Sequence, residues 1–264
     1  MKQIDPTTSA KDAVSHLMLS GANAFSRQLR GLMTSDDIEG PHKARVALRR
    51  LRVAISAFKP IVAKPAYADL QARMRAIFSI ISALRDADVL ALAMDLPELH
   101  DAATATRHKV RADLKSAGAG HLSSQITWAF AGKTWRRQGT KSLRNAPAAG
   151  LAATALDDCW QTCLAFGPDL TALAVDIRHE LRKSLKILRY LCDHFTAIWP
   201  GPVHDGFLSR LKRLQEDLGI LNDHAMARAR GFVAPDDAVF LAAAQGHWAA
   251  LRASPVWWVD PGLP

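Results

Sequence analysis

Apolar residues recur at helical spacing in one stretch that also carries a row of cations. The apolar stripe consists of Leu48, Leu51, Ile55 and Phe58. A second face, which we call the first cationic face, consists of His42, Arg45, Arg49 and Arg52. These four positions fall within an arc of about 80° on a helix of about 3.6 residues per turn. The pattern predicts an amphipathic helix over residues 42–58, with Gly40 as its N-cap and Pro41 in its first turn.

The same pattern recurs further along the chain, over residues 179–195. The second cationic face consists of His179, Arg182, Lys186 and Arg189. The matching apolar stripe consists of Leu185, Leu188, Cys192 and Phe195. Each residue lies 137 positions after its counterpart, and the same interval relates Arg75 to Lys212 and residues 83–88 to residues 220–225. Two gapless copies predict an internal duplication, with two helical bundles related by a pseudo-twofold axis.

Helical periodicity predicts further elements on either side of these stretches. The other predicted helices span residues 9–33, 66–94, 98–117, 121–131, 148–166 and 235–252, while the second copy lies within predicted helices 169–199 and 203–230. Residues 133–147 are basic, contain no acid and lack apolar periodicity. They predict a partly mobile connection between the halves 1–132 and 148–264, which is either an accessory anion contact or a soluble linker. No strand pattern persists, so the expected fold is all-α, with about four or more helices in each bundle.

Side chains outside the cationic faces carry further expectations. Trp128 and Phe130 are core candidates in the predicted helix 121–131. Near the C-terminus, the residues expected to seal the core are Trp248, Trp257 and Trp258. The basic residues of helix 98–117 face several directions and are therefore expected to be exposed. They are Arg107, Lys109, Arg111 and Lys115.

The charge balance narrows the class of partner. The 264 residues include 34 Lys and Arg against 25 Asp and Glu, which gives a net charge of +9 and a pI near 9.8. This excess favours polyphosphate, nucleic acid or an anionic membrane surface. Arginine can hold phosphate oxygens with two hydrogen bonds, while lysine and histidine act as point donors. We expect the two cationic faces to open onto one common basic groove.

The chain resembles the conserved-histidine α-helical domain family, CHAD. The resemblance rests on the two H-x2-R-x3-R/K-x2-R helices, on the following helices that carry Arg85-Asp86 and Asn222-Asp223, and on the aromatic C-terminal stretch. It implies one domain over residues 1–264 that binds inorganic polyphosphate, without the triphosphate tunnel enzyme domain that often accompanies the family. The implied contacts are the two cationic faces together with Arg50, Arg75, Lys183, Lys212 and Arg213. Asp86 and Asp223 are expected to orient these cations.

Catalysis and nucleic-acid binding are the alternatives. His42 and His179 are candidate nucleophiles or general bases of a phosphohydrolase. The sequence, however, lacks a Walker-type phosphate loop, an HExxH motif and a cluster of metal-ligating residues. We therefore expect a non-catalytic protein without metal or cofactor. Nucleic acid is a weaker candidate, although a possible competitor, because the two helices lack the Asn and Gln side chains that read base edges.

The remaining sequence features concern the cellular compartment. An odd number of cysteines, namely Cys159, Cys163 and Cys192, favours buried thiols in a reducing cytosol. The N-terminal residues lack the apolar region of a secretory signal, and no uncharged run is long enough to span a bilayer. We expect a cytoplasmic protein, and the family resemblance implies that it associates with polyphosphate granules.

Overall fold

The part of the chain that a computed structural model describes, residues 4–229 and 231–258, is built of helices. The α-helices are α1 (Ala10–Thr34), α2 (Glu39–Ala57), α3 (Lys64–Met94), α4 (Pro97–Ser116), α5 (Leu122–Ala131), α6 (Lys141–Asn145), α7 (Ala149–Leu164), α8 (Val175–Phe195), α9 (Pro202–Ala229) and α10 (Ala238–Arg252). These residues contain no strand beyond two isolated bridges. The all-α prediction is therefore confirmed. None of the described helices has the length and apolar character needed to cross a membrane.

Contacts divide the helices into two compact units. The first unit extends from Thr8 to Pro147, and the second begins at Ala148. In the first unit α1 packs on α2, α2 on α3, α3 on α4 and α5 on α1. In the second unit α7 packs on α8, α8 on α9 and α9 on α10. The pairing of consecutive helices thus repeats, and α8 and α9 begin close to the positions that the 137-residue interval assigns to the starts of α2 and α3.

Local sequence signals explain several helix ends. Pro97 lies in the first turn of α4, where its fixed φ angle suits a helix and its missing N–H is not needed. α3 is followed by its C-cap, Asp95, whose φ of 48° is left-handed, a conformation that a short polar side chain tolerates. α2 begins at Glu39 with Ile38 at the N-cap. Gly40, which was predicted to be the N-cap, therefore lies inside the first turn instead.

The apolar stripes of α2 and α8 form buried cores, as predicted. Leu48 and Leu51 are 0% and 1% exposed, and Leu185 and Leu188 are both 0% exposed. α1 approaches α2 closely at Gly21, where an added Cβ would lie 2.7 Å from the Leu51 side chain. The three tryptophans expected to seal the core are buried in the second unit.

Two expectations about side-chain burial are wrong. Trp128 is 74% exposed, whereas Phe130 is buried. Arg107 is only 6% exposed, because its Nη2 donates to both carboxylate oxygens of Asp88, at 2.9 and 3.0 Å. Arg111 is also held, since its guanidinium donates to the backbone carbonyl of Leu32 at 3.0 Å. These two arginines stabilise the packing of α4 instead of facing solvent.

The basic connection is part of the first unit and is not a loose linker. Trp135 is 1% exposed and stacks on Phe130 with ring centroids 5.1 Å apart. The backbone N–H of Ala63 donates to the Trp135 carbonyl at 2.7 Å, and that of Arg137 donates to the Ile61 carbonyl at 2.9 Å. The segment then forms α6. A single buried aromatic residue thus anchors a stretch whose polar composition indicated mobility.

Candidate functional site

The first cationic face lies along α2 beside α3. His42 is exposed, while Arg45, Arg49 and Arg52 are half-buried. The guanidinium carbons of Arg45 and Arg49 lie 5.0 and 5.3 Å from the centroid of the Phe78 ring on α3. An aromatic face attracts cations, so Phe78 supports two neighbouring guanidinium groups at once. Arg50, the fifth predicted contact on α2, is half-buried as well.

Arg52 is fixed by a buried amide. Its Nε donates to Gln71 Oε1 at 3.2 Å, and Gln71 Nε2 donates to the Arg52 carbonyl at 3.1 Å and to Ser56 Oγ at 3.0 Å. Gln71 is 5% exposed and Arg52 is half-buried. The Gln71 amide therefore determines where the Arg52 guanidinium lies relative to α2 and α3.

Neighbouring cations crowd Arg52. Burial lowers the pKa of Arg52, and the positive charges of Arg75 and Arg49 lower it further. Arg75 lies on α3 and is exposed. Neither Arg49 nor Arg75 forms an ion pair within residues 4–229 and 231–258. The Arg52 guanidinium is therefore repelled by two cations, Arg49 of the same face and Arg75 of the next helix.

Asp86 lies at one end of the same face. Its Oδ1 is 3.8 Å from Arg45 Nη1, and its side chain is 69% exposed. The carboxylate thus lies beside one arginine, at the distance of a long ion pair. Its predicted role in orienting the arginines stays a prediction, but the position required for that role is the observed one.

The second cationic face lies along α8 and is held by different contacts. His179 is half-buried, and its Nδ1 lies 2.5 Å from Asn222 Oδ1 on α9. Arg189 Nη1 donates to Gln215 Oε1 at 3.3 Å, and Gln215 Nε2 donates to the Leu185 carbonyl at 2.7 Å. Arg182 and Lys186 are half-buried between these two ends. An amide again holds the last arginine of the row.

The other predicted contacts in the second unit lie near acids. Lys183 Nζ is 2.5 Å from Glu180 Oε1, and Lys212 Nζ is 3.9 Å from Glu216 Oε1. Arg213 is exposed. Asp223 is exposed and accepts a hydrogen bond from Asn222 Nδ2 at 3.3 Å, which places it next to the amide that holds His179. Two of the predicted contacts beside the second cationic face, Lys183 and Lys212, therefore have a carboxylate partner.

The sequence did not single out Gln71, Phe78 or Gln215, and it showed Asn222 only as part of the family motif. Each lies on the helix that follows a cationic face, and each acts on a histidine or arginine through its side chain. Their identity as amides or aromatics gave no signal, because such residues are common on helices. Only the packing of α3 on α2 and of α9 on α8 shows which of them meet the cations.

The arrangement can bind oxyanions. Guanidinium and ammonium groups supply charged N–H donors, and imidazole can donate when protonated. Within the described residues no group of three or more His, Cys, Asp or Glu is placed to hold a metal ion. Cys163 and Cys192 are buried, as predicted, and burial raises the pKa of the Cys192 thiol. That thiol is therefore a poor nucleophile.

Comparison with known proteins gives a consistent result. The CHAD domain family model matches residues 18–231. The crystal structure of the CHAD domain from the plant Ricinus communis is similar to this chain with a TM-score of 0.71 and 20% identity, covering 96% of this chain and 89% of that one. PptA from Streptomyces chartreusis is similar with a TM-score of 0.55 and 17% identity, covering 94% and 96%. The comparison with curated proteins found no match.

At these identities the two structures establish a shared fold. The family model goes further, because it spans most of the chain and includes both cationic faces as well as the helices that support them. The chain belongs to the CHAD domain family.

Proposed function

We propose that this chain binds inorganic polyphosphate through the first and second cationic faces and does not act on it chemically. The observation that carries the proposal is the grouping of Arg49, Arg52 and Arg75, where the pKa of Arg52 is lowered by burial and then by its two neighbours. Like charges held together repel until an anion lies among them. A polyphosphate chain offers closely spaced negative charges to such a row.

Family membership supports the same class of ligand, since CHAD domains are associated with polyphosphate. A row of cations without base-reading amides suits a ligand that has charge but no sequence. Gln71 and Gln215, the amides that do lie nearby, are engaged by backbone carbonyls and arginines. We further propose that this binding directs the protein to polyphosphate granules.

The non-catalytic part of the proposal has its own measurement. The protein is incubated with polyphosphate or ATP in the presence of Mg²⁺ or Mn²⁺, and released orthophosphate is compared with a buffer blank. We expect no release. Steady turnover that is lost in His42→Ala or His179→Ala would instead identify a phosphohydrolase. A surface histidine among arginines could serve such an enzyme as a general base.

The binding test is a competition among long-chain polyphosphate, DNA and RNA at fixed salt, followed by a salt titration. We expect polyphosphate to win and log K to fall linearly with log[salt]. Arg49→Ala/Lys186→Ala should flatten the slope by about one to two units, because each lost contact releases about one fewer counterion. The control, Lys115→Ala/Arg210→Ala, removes one exposed cation from each unit outside the two faces. Equal flattening by both variants would mean that only net charge matters.

A further inference from the structure

Two segments of the first unit that are distant in sequence form a second basic surface. Residues 59–64 and 133–137 lie side by side, joined by the Ala63–Trp135 and Arg137–Ile61 backbone hydrogen bonds and by the bridge between Val62 and Arg136. We call their cations the connection cluster: Lys59, Lys64, Lys133, Arg136 and Arg137. Ile61, Val62 and Trp135 are at most 1% exposed, so the backbone beneath the cluster is anchored in the core.

The connection cluster is not neutralised from within. Neither segment contains an acid, and none of the five cations forms an ion pair with residues 4–229 or 231–258. Asp69, the next acid along the chain, is held by Arg73 Nε at 2.9 and 3.0 Å. Cations elsewhere in the unit, such as Arg107 and Lys109, do have a carboxylate partner. Like charges gathered without an acid are a signature of an anion-binding surface.

Arg136 adds a second observation. Its guanidinium carbon lies 5.7 Å from the Trp135 ring centroid. Its Nε is buried and has no hydrogen-bond partner among the described residues. The Arg136 guanidinium thus has no acceptor among the described residues, and an oxyanion is the acceptor that a guanidinium binds best.

Contacts also connect this cluster with the first cationic face. Gln71, which holds Arg52, donates to Ser56 Oγ at 3.0 Å, and Ser56 Oγ lies 3.2 Å from Tyr67 Oη. Lys59 Nζ lies 5.6 Å from the Tyr67 ring centroid. Lys59 lies two residues after Ala57, the last residue of α2. The cations therefore continue past the end of α2 instead of stopping at Arg52.

We propose that the connection cluster is an additional polyphosphate subsite, which binds further phosphoryl groups of a chain already held by the first cationic face. This inference rests on the proposed function. The extension belongs to the first unit alone: at the 137-residue interval, Lys59 and Lys64 correspond to Thr196 and Gly201, and Tyr67 to the buried His204. Long chains therefore gain contacts at one end that short chains do not reach.

The test compares long-chain polyphosphate with tripolyphosphate on the full chain. Lys59→Gln/Arg136→Gln/Arg137→Gln removes three cations from the cluster. We expect it to bind the long chain about tenfold more weakly, with a salt slope flattened by about two to three units. Its affinity for tripolyphosphate, which occupies the first cationic face but is too short to extend to the cluster, should not change. The matched control Arg30→Gln/Lys109→Gln/Lys115→Gln removes three exposed cations elsewhere in the first unit.

Each outcome either supports or overturns the proposed subsite. An unchanged slope for the long chain, or equal flattening in the control, would overturn the subsite while leaving wild-type polyphosphate binding in place. Absence of wild-type binding would overturn the proposed function as well. Because Arg136 packs beside Trp135, a second variant keeps it intact: Lys59→Gln/Lys64→Gln changes only exposed side chains and should flatten the slope by about one to two units.

Discussion

The first and second cationic faces have the same residue spacing but different supports. At one position of the following helix, the first unit has Phe78 and the second has Gln215, which lie 137 residues apart. The Phe78 ring lies against the first two arginines of its face, whereas Gln215 hydrogen-bonds the last arginine of the other face. Phe78 and Gln215 thus contact different cations of their faces, while the last arginine of the first face is held by Gln71. Equal spacing of the cations therefore does not give the two faces equal contacts.

The two faces also differ in the acids around them. Arg75 has Ser79 four residues later, whereas its counterpart Lys212 has Glu216 at that distance and pairs with it. Lys183 pairs with Glu180 in the same way. Acids also lie around the first face, where Arg45 is 3.8 Å from Asp86 and Lys43 is 3.3 Å from Asp37. The difference is therefore local, and we infer that Arg75 contributes more to the affinity for a polyanion than Lys212 does.

The interiors of the units differ at a corresponding place. Asp88 on α3 is 3% exposed and pairs with Arg107 on α4, while Ala225 occupies the matching position of α9. Burial raises the pKa of Asp88 even though Arg107 acts in the opposite direction. The first unit joins its third and fourth helices through a buried ion pair, and the second unit has a methyl group there instead.

The largest effect is expected from Arg107→Leu. It leaves the Asp88 carboxylate buried without its partner, which costs about 3–5 kcal/mol of unfolding free energy. Asp88→Ala/Arg107→Leu introduces the alanine found at this position in the second unit and should recover most of the loss, because a buried pair can often be replaced by apolar groups. Urea unfolding of wild type, both single variants and the double variant measures this coupling.

The pH dependence of Arg107→Leu follows from the same carboxyl. A carboxyl group whose pKa is higher in the folded state binds its proton more tightly there, so stability from it is greatest below the unfolded pKa and declines as pH rises. The destabilisation of Arg107→Leu should therefore shrink as pH falls from about 7 toward 4. A double variant that is no more stable than Arg107→Leu, with a deficit independent of pH, would contradict this account.

An intermediate effect is expected from removing cations at the first face or acids at the second. Arg49→Gln/Arg75→Gln should weaken long-chain polyphosphate binding about tenfold and flatten the salt slope by about one to two units. Glu180→Gln/Glu216→Gln should do the reverse in the second unit, because Lys183 and Lys212 are then free to contact phosphate. We expect a gain of about threefold or more, with a steeper slope.

The control for this pair of variants is Asp69→Asn. It removes a carboxylate that pairs with Arg73 away from the first cationic face, and it should change affinity little. The two variants that remove carboxylates should leave stability nearly unchanged, since exposed ion pairs contribute little. If Glu180→Gln/Glu216→Gln changes neither the affinity nor the salt slope, the two acids do not weaken polyphosphate binding in the second unit. The inferred difference between the two faces is then wrong.

Much of the fold could be predicted because a helical period records which side of an element is buried. Residues 9–33 were predicted as a helix and α1 spans Ala10–Thr34, and the Leu48 and Leu185 stripes are buried. Trp128 shows how the same rule can be misapplied. The buried residues of α5, Leu122, Ile126 and Phe130, are spaced by four, and Trp128 lies about 200° around the helix from Ile126.

The features that could not be predicted depend on contacts between elements that are distant in sequence. The partner of Arg107 lies 19 positions earlier on another helix, and no local pattern marks either residue as buried. The connection around Trp135 is ordered by hydrogen bonds to residues 61 and 63, which the sequence did not link to it. The cations of the candidate site could be read from their spacing, whereas Phe78 and Gln215 could not, because their roles depend on how α3 and α9 are rotated.

The smallest effect is expected from Phe78→Gln, which places the residue of the second unit in the first. It removes the aromatic face beneath Arg45 and Arg49, and each exposed cation–π contact is worth about 0.5–1 kcal/mol. The number of cations stays the same, so the salt slope should not change. Affinity for long-chain polyphosphate should fall about twofold to threefold, because the two guanidinium groups must be ordered when the ligand binds.

Phe78→Leu, which keeps an apolar contact without the ring, should match Phe78→Gln in affinity and exceed it in stability, since residue 78 is half-buried. A slope that flattens by a full unit would show that the ring keeps an arginine in contact with phosphate, whereas wild-type affinity in both variants would reduce Phe78 to a packing residue.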